Sequence, residues 1–565
     1  MNPDPDQPDQ PVDSVPESTE PQEVANESVP WIAPWAEPWI ITLVYVVSLA
    51  VMMFRHDMWR DEFQAWAIAS QSPTLSDLWY NLQFEGHPAL WHVLLWICHQ
   101  LGGPLQSMQV LHLLIGAGVV WIFARWAPFG FWHRMLFALG YFPLYEYGMI
   151  SRNYSIGILL LFIGCVLLTR REGHTKSLLT GVVIFLLFQT SAFGAILALA
   201  LCVWLVTDNV LQVKSLQEPS ASYTQLLAPL FMAGAGFALF FLQIYLRRTD
   251  NGALGPAPGV SDRIIIALSN LPRALFPNPQ VFTKPWYDKW NSTWVTDVIS
   301  IDQGKLFVSP ALFLIIMVIT CAYLWNRRRA LMFFLAGIGG MLLFTYFFVM
   351  ADTIRYAGSC FFIWIVAVWF AKSEQPVQPD PEPDAAPNQG LLAEAWHFLR
   401  TGQGLQITVT ASLIASCVAT LQLSQVEATV PFSQSGTLAQ WLREEPQSKL
   451  KTVVYPEYIG TPIAVLNGKP FYSLARQGDA VFSIWKPENI WIPKEELYKR
   501  LNALLVKEAP KEIVYISNVP LPPPEGEHLR PYFTFAPSIA RESFFVYILR
   551  KSSPADEGIQ SASQD

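Results

Sequence analysis

The chain has 565 residues, of which 52% are hydrophobic and 14% aromatic, while only 15% are charged. Soluble proteins carry about 25% charged residues, so the composition excludes an ordinary soluble protein and a disordered one. The apolar residues come in long runs rather than in alternation, which argues against a membrane β-barrel. The composition is typical of a helical membrane protein with several spans.

The formal net charge of -8 comes from one segment. Residues 1–30 hold eight acids and no Lys or Arg, so the rest of the chain is about neutral and offers no basic surface for nucleic acid. The six cysteines lie in apolar segments, which predicts neither a disulfide framework nor a cysteine-based zinc site. Residues 1–30 are also rich in proline, and we expect a disordered cytoplasmic tail there.

A spanning helix needs about 20 mostly apolar residues. Eleven segments are predicted to span: 36–54, 106–124, 134–150, 153–169, 177–191, 192–208, 224–246, 306–325, 330–350, 354–371 and 405–424. The basic loops at 170–176 and 327–329 fall on the same side only if 177–208 forms two helices rather than one. Since positive loops stay cytoplasmic, we predict two helices there.

This topology divides the chain into domains. A transmembrane catalytic domain is expected over 31–371, a Pro-rich cytoplasmic linker over 372–404, and the last transmembrane helix over 405–424. Residues 425–551 alternate short β-rich runs with charged helical stretches, which predicts a small extracytoplasmic α/β domain, and 552–565 read as a disordered tail. The segment 89–101 is apolar but too short to span, so we expect an interfacial helix with His92 and His99 toward the headgroups.

The first extracytoplasmic loop carries the densest polar cluster, with Arg60, Asp61, Glu62 and, further on, His87. The acids Asp61 and Glu62 lie only a few residues past the end of the first predicted span. A carboxylate held at the membrane face can accept a proton from a hydroxyl, as general-base catalysis requires. The alternative is an ordinary hydrated loop with interfacial Trp anchors.

Two further charged positions are predicted to lie at the same face of the membrane. Glu146 and Arg152 lie at the hinge between the third and fourth spans, and Asp352 and Arg355 lie at the outer end of the tenth. Charges next to spans are costly and usually face a cavity. Two arginines there can form a fork for a phosphate, or Arg152 can simply pair with Glu146.

The loop 247–305 contains several aromatic residues, including Trp286 and Trp290. These rings can stack on a sugar, and an interfacial aromatic belt explains them equally well. Both interpretations stay open on the sequence alone.

Taken together, these motifs resemble the GT-C glycosyltransferases, among them the RgtA/B/C/D-like enzymes, the protein O-mannosyltransferases and the aminoarabinose transferase of lipid A. The resemblance rests on the Asp61-Glu62 pair, His87-Pro88-Ala89-Leu90, Ser151-Arg152 and Arg355-Tyr356, in that order over roughly residues 36–371. The motif at His87 departs from the family pattern, because Ala89 stands where a second proline is usual.

The resemblance implies a GT-C-like fold and transfer of a sugar from a polyprenyl-phosphate donor to an envelope glycan, lipid or protein. Asp61 would deprotonate the acceptor, and Glu62 would orient the acceptor or the base. The substrate-binding residues implied are Arg60, His87, Glu146, Arg152, Arg355, Tyr356, Trp286 and Trp290. Inversion at the anomeric carbon, a plasma-membrane location and independence of metal and other cofactors are further expectations.

Two other classes remain open. A transporter or flippase of a lipid-linked or anionic substrate would place ionisable residues near the midplane and show two related halves. A non-catalytic scaffold for envelope assembly would bind through its α/β domain. The clustering of charges at one face favours the enzyme.

Overall fold

The computed structural model describes residues 33–170, 174–215, 220–244, 259–280, 289–293, 308–348, 353–374, 391–508, 511–521, 533–535 and 538–550. In these stretches seven helices are long and apolar enough to cross a membrane, and the chain is a multi-pass membrane protein. The seven are Glu37–Arg55, Gln106–Trp126, Ala192–Ser215, Ser220–Ile244, Arg328–Phe348, Ile354–Ser373 and Gln403–Glu427. Three shorter apolar helices accompany them: Tyr154–Thr169, His174–Phe188 and Val308–Leu324.

Burial separates the central helix from the peripheral ones. Helix Glu37–Arg55 buries a single stripe at four-residue spacing, made of Ile41, Tyr45, Leu49 and Met53, because only one of its faces meets protein. Helix Ile354–Ser373 is apolar on every side, and 94% of its spanning window is buried. This central position carries Arg355, in the first turn of that helix, into the interior of the bundle.

The two helices predicted within 177–208 are separate, as the positions of the basic loops required. They run over His174–Phe188 and Ala192–Ser215, with a turn at Gln189–Ser191 between them. Thr190 and Ser191 are buried at this turn, and backbone–backbone hydrogen bonds close it from Gln189 to Leu186 and from Thr190 to Leu187.

The single spanning helix predicted over 134–150 is wrong. An α-helix, Phe131–Ala138, ends at an extended Gly140, and a π-helical segment, Tyr141–Met149, follows. Ser416 of a neighbouring helix accepts a hydrogen bond from the backbone N–H of Tyr141 at 2.7 Å and so satisfies a group that a continuous helix would have bonded internally.

Three other regions differ from expectation. The loop predicted over 247–305 contains a helix, Val260–Leu275, and the predicted linker 372–404 contains another, Leu391–Thr401. The juxtamembrane helix exists as Leu90–Gln100, but His92 is buried against protein instead of facing headgroups. The apolar periodicity of Val260–Leu275 is the signal that would have revealed that helix.

Two short helices complete the first loop, Arg60–Ser70 and Leu75–Asn81. They lie between the first span and Leu90–Gln100. Arg60–Ser70 is buried along almost its whole length, and it packs on both Leu90–Gln100 and the C-terminal unit.

The C-terminal unit contains a six-stranded sheet. In chain order its strands are β1 (Lys451–Val454), β2 (Phe471–Ser473), β3 (Gly478–Ala480), β4 (Ile513–Ser517), β5 (Phe533–Phe535) and β6 (Phe544–Leu549). Their order in the sheet is β3-β2-β1-β4-β6-β5. Strand β1 is parallel to β2 and β4, and the remaining pairs are antiparallel. The helices of this unit are Ser435–Arg443, Gly460–Asn467, Pro487–Ile490 and Lys494–Glu508.

Helices cover both faces of this sheet. Leu438 and Ile463 belong to the hydrophobic cluster on one face, and Leu497 and Leu501 to the cluster on the other. A sheet with parallel central strands requires such double cover. The helix Gly460–Asn467 also packs against Arg60–Ser70 and so fixes the unit on the first loop.

Candidate functional site

The helix Arg60–Ser70 places a pair of acids at one end of the bundle. Its N-terminus is closed by Glu62, whose carboxylate accepts a hydrogen bond from the backbone N–H of Trp59 at 3.1 Å. This contact turns Glu62 back into the protein. Asp61, one residue earlier, remains partly accessible, with 19% of its side chain exposed.

Three arginines surround the carboxylate of Asp61. Its Oδ2 lies 3.2 Å from Nη1 of Arg355 and 3.9 Å from Nη2 of Arg152, and its Oδ1 lies 3.6 Å from Nε of Arg60. Burial by itself would raise the pKa of Asp61, but the positive charges of Arg152, Arg355 and Arg60 outweigh that effect and hold the pKa below its usual value. Asp61 is therefore ionised at neutral pH.

Arg152 occupies the hinge between the π-helical segment and Tyr154–Thr169. Its Nη1 donates to the backbone carbonyl of Asp61 at 2.6 Å, and its Nη2 lies 3.2 Å from Nε2 of His87. The pairing of Arg152 with Glu146, which the sequence left open as an alternative, is not found among the ion pairs of the described residues. Arg152 instead contacts two motifs of the first loop, at Asp61 and at His87, that are far apart in sequence.

Arg355 is held by two indole rings. The centre of its guanidinium group lies 4.7 Å from the ring centroid of Trp59 and 5.1 Å from that of Trp290. The indole N–H of Trp290 donates to Glu146 at 2.9 Å, and the hydroxyl of Tyr141 donates to the same carboxylate at 2.7 Å. Trp290 and Glu146 are each 3% exposed, so neither presents a free surface to a sugar.

The remaining predicted substrate-binding residues have different positions. Tyr356 is half-buried against Phe193, with ring centroids 5.2 Å apart. Trp286 and Asp352 lie outside the described residues. Arg273, which sequence reasoning missed, is fully buried on Val260–Leu275 and donates to the backbone carbonyl of Asn291 at 3.3 Å.

Glu62 forms the centre of a buried charged group. One of its oxygens accepts the backbone N–H of Ser151 at 2.7 Å, and the other lies 3.1 Å from Nε2 of His56. The second ring nitrogen of His56 is 2.7 Å from Glu427, at the end of the last span. Burial would lower the pKa of His56, but Glu62 and Glu427 raise it to about 10, so the ring is protonated at neutral pH.

Of the two roles expected for Glu62, orienting the acceptor or orienting the base, this placement is compatible only with the second. Its side chain is completely buried, and both oxygens already bind protein groups, so Glu62 cannot reach an acceptor. It instead joins the first loop to the hinge at Ser151 and thereby positions Asp61 and Arg152. Of these two adjacent acids, Asp61 is therefore partly accessible, whereas Glu62 is buried and has a structural role.

Several buried donors beside the cluster lack hydrogen-bond partners in the described part of the chain. They are Nε of Arg152, Nε of Arg355, Oγ of Ser151 and Oγ1 of Thr353. An unsatisfied buried donor costs about 1–3 kcal/mol. Because three guanidinium groups also share one paired carboxylate, the arrangement is suited to an anion with several acceptor oxygens.

The sequence did not indicate a role at this site for Glu85 or for the C-terminal unit. Glu85 accepts a hydrogen bond from the side-chain amide of Gln64 at 2.6 Å. Arg60 lies over the ring of Tyr458 at 4.8 Å, and Tyr458 stacks on Trp485 with centroids 5.8 Å apart and ring planes 12° apart. The C-terminal unit therefore contributes side chains to the immediate surroundings of Asp61.

Among the residues that the structure describes, no group of three or more His, Cys, Asp or Glu side chains is arranged to hold a metal ion.

No protein-family profile matches the chain, and no curated protein matches it. Among solved structures, it is similar to ArnT from Cupriavidus metallidurans bound to undecaprenyl phosphate, with 12% identity, a TM-score of 0.45, and coverage of 91% of this chain and 97% of that one. For the apo state of the same protein the identity is 12%, the TM-score 0.41, and the coverages 86% and 93%. Both TM-scores are too low to establish a shared fold.

Proposed function

We propose that this chain is a membrane glycosyltransferase, which moves a sugar from a polyprenyl-phosphate donor to an envelope acceptor on the extracytoplasmic face. The observation that carries the proposal is the cluster in which Arg60, Arg152 and Arg355 share Asp61 at one end of the bundle. The motifs that supply these residues follow one another along the chain in the same order as the motifs on which the resemblance to the GT-C glycosyltransferases rests.

The proposed donor matches the chemistry of the cluster. A lipid-linked phosphate has a polar head at the membrane surface and an apolar tail within it, and the cluster lies where the spanning helices end. Arg152 and Arg355 are about 10% exposed, so their charges act in surroundings with little water. Charges held in such surroundings stabilise a departing phosphate strongly.

Asp61 and Glu62 have different proposed roles. Asp61 holds the three guanidinium groups around the phosphate position, and the resemblance also assigns it the proton of the acceptor hydroxyl. Glu62 acts through other residues, because it joins the first loop to the hinge that carries Arg152. His87 lies beside Arg152 and is proposed to line the same phosphate position.

The experiment compares two lipids that differ only in the phosphate. The full chain in lipid nanodiscs is titrated with undecaprenyl phosphate and with undecaprenol, and binding is followed by quenching of tryptophan fluorescence. We expect the phosphate form to bind at least tenfold more tightly, and Arg355→Gln to remove that preference. Equal binding of both lipids would contradict a phosphate site.

A second measurement separates the enzyme from a transporter or flippase. Nanodiscs have no closed compartment, so translocation cannot be scored in them, whereas sugar transfer can. With tritiated polyprenyl-phosphate sugars and a cell-envelope fraction, we expect label to leave the lipid fraction and enter the envelope fraction. Tight binding of undecaprenyl phosphate without any transfer would favour the transporter.

A further inference from the structure

The C-terminal unit meets the arginine cluster through two aromatic rings, those of Tyr458 and Trp485. The centre of the Arg60 guanidinium group lies 4.8 Å from the ring centroid of Tyr458, and Nε of Arg60 lies 3.6 Å from Asp61. Of the three arginines around Asp61, Arg60 has the most exposed side chain, at 34%. The rings therefore stand beside the most open of the three guanidinium groups.

The two rings cover each other only in part. Their planes are 12° apart and their centroids 5.8 Å apart, whereas carbon atoms of stacked rings approach to about 3.5–4.0 Å. Nearly parallel rings at this separation are offset, so a portion of each face is left over. The side chains of Tyr458 and Trp485 are both half-buried. Together they form an aromatic surface that other protein atoms do not cover completely.

A polar edge borders this aromatic surface. The side-chain amide of Asn518 donates to the hydroxyl of Tyr458 at 2.7 Å, so the hydroxyl proton of Tyr458 remains to be donated. The amide oxygen of Asn518 is buried and has no hydrogen-bond partner among the described residues. The edge therefore offers one hydrogen-bond donor and one hydrogen-bond acceptor to a bound group.

The topology of the sheet points to the same place. Tyr458 comes shortly after β1 and Asn518 directly after β4, and these two strands are parallel neighbours. From β1 the chain passes to β2 on one side, and it later returns to β4 on the other side of β1. In open α/β sheets, ligands bind outside the carboxyl ends of parallel strands at such a reversal of strand order. The strand order thus indicates a ligand position independently of the side chains.

We propose that Tyr458, Trp485 and Asn518 bind the saccharide portion of the sugar acceptor, so that the acceptor is a glycan or the headgroup of a glycolipid; this inference rests on the proposed function. A sugar ring has an apolar C–H face and a rim of hydroxyl groups. The C–H face packs on an aromatic ring, whose face carries partial negative charge, while the hydroxyls bond Tyr458 and Asn518. Arg60 then lies between the saccharide and the phosphate position of the donor.

Other classes of acceptor fit this surface less well. An extended peptide adds to an exposed sheet edge, and the edge strands are β3 and β5, not β1 and β4. An acyl chain would leave the buried amide oxygen of Asn518 without a donor, which is costly. Trp290, which the sequence suggested for stacking on a sugar, is 3% exposed and donates to Glu146. The aromatic surface of the C-terminal unit is therefore better placed for a saccharide.

The first test identifies the chemistry of the acceptor. The full chain in nanodiscs receives tritiated polyprenyl-phosphate sugars and a cell-envelope fraction pretreated with periodate, which destroys sugars, or with protease. We expect periodate to abolish transfer and protease to leave it unchanged; transfer that survives periodate would overturn the proposal. Mild alkali, applied to the labelled product, then distinguishes the two saccharide sources, because only label on an ester-linked glycolipid moves from the organic to the aqueous phase.

The second test substitutes the aromatic surface. The variants are Trp485→Leu and Tyr458→Phe, and Trp491→Leu is the matched control, because Trp491 belongs to the same unit and is 68% exposed. The amount of envelope fraction that half-saturates transfer should rise about tenfold or more in Trp485→Leu and about three- to tenfold in Tyr458→Phe. Binding of undecaprenyl phosphate should be unchanged in all three variants, and thermal unfolding checks that each is folded.

Tyr458→Phe separates saccharide binding from a purely structural role. It keeps the ring that contacts Arg60 and removes only the hydroxyl. If the rings served only to anchor the C-terminal unit on the first loop, this variant would keep the original half-saturation, and Trp485→Leu would lower the melting temperature and the maximal rate instead. That pattern would overturn the proposal. Absence of transfer by the unmodified protein would contradict the proposed function itself, so the two failures are distinguishable.

Discussion

At the scale of single residues, the geometry of Arg152 depends on its planar fork. One nitrogen bonds the carbonyl of Asp61 at 2.6 Å while the other contacts His87 at 3.2 Å. Lysine keeps the charge but carries it on one nitrogen at the end of a flexible stem, so it lacks the rigid planar fork that spaces these two contacts. The residue therefore contributes shape as well as charge.

We predict that Arg152→Lys lowers the rate of sugar transfer by roughly tenfold or more, because a fixed donor to the leaving phosphate is lost. Steady-state transfer in nanodiscs measures the effect. Arg134→Lys is the matched control, since Arg134 pairs with Glu37 at 3.1 Å at the other end of the first span. Wild-type rates in Arg152→Lys would show that this arginine is a structural anchor.

His56 provides a pH dependence of stability rather than of activity. Its pKa is raised from an ordinary value of 6.5 to about 10 in the folded protein, where Glu62 and Glu427 flank the ring. A group with a raised folded-state pKa stabilises fully below its unfolded pKa and loses that effect as the pH rises through the folded value. The stabilisation should therefore fade between pH 6.5 and 10.

We predict that His56→Gln destabilises the protein at pH 6.5 and that the difference from the unmodified protein shrinks as the pH approaches 10. Thermal unfolding in nanodiscs, scanned over that range, measures the difference. Comparing the two proteins at each pH cancels the titration of groups that both contain. A difference that stays constant or grows with pH would show that the ring is not charged in the folded state.

At the scale of elements, the interruption at Gly140, between the helix Phe131–Ala138 and the π-helical segment Tyr141–Met149, depends on the hydroxyl group of Ser416. A Cβ at Gly140 would lie 2.8 Å from Oγ of Ser416, the atom that accepts the N–H of Tyr141. Glycine thus lets the chain come close to the last span. The hydroxyl then satisfies the N–H of Tyr141 at the start of the π-helical segment.

We predict that Ser416→Ala lowers the free energy of unfolding by about 1–3 kcal/mol, because it leaves a buried N–H without an acceptor. Unfolding in mixed detergent micelles measures the loss. Ser424→Ala is the matched control on the same helix, because Oγ of Ser424 is buried and has no hydrogen-bond partner among the described residues. Equal losses in both variants would mean that the break does not depend on this hydrogen bond.

At the scale of the whole molecule, the C-terminal unit and the first loop lie at the same end. Gln64 bonds Ser483 at 2.7 Å, and the backbone N–H of Arg60 approaches Glu542 at 3.4 Å. The two regions must therefore face the same side of the membrane, whichever side that is. Positively charged loops stay on the cytoplasmic side, and the basic residues at 327–329 are predicted to lie there. This topology favours the extracytoplasmic side for the first loop and the C-terminal unit.

We predict that a cytoplasmic reporter fused at Gln378 is active, whereas one at Lys551 is not. A reporter inserted at Gly102, in the turn after Leu90–Gln100, should behave like the one at Lys551, because Gly102 and the strand Phe544–Leu549 both belong to the end that carries Asp61. Activity on the same side at Gln378 and Lys551 would contradict the crossing of Gln403–Glu427.

The sequence by itself determined that this is a polytopic helical protein with a small C-terminal sheet, because long apolar runs and short β-rich runs are local patterns. It also indicated which motifs carry charge near the ends of spans. Only the tertiary structure decided which charges meet: Arg152 pairs with Asp61 rather than with Glu146, and Glu62 turns inward. The contact of Gln64 with Ser483 joins residues 419 positions apart, and no local pattern encodes a contact at that separation.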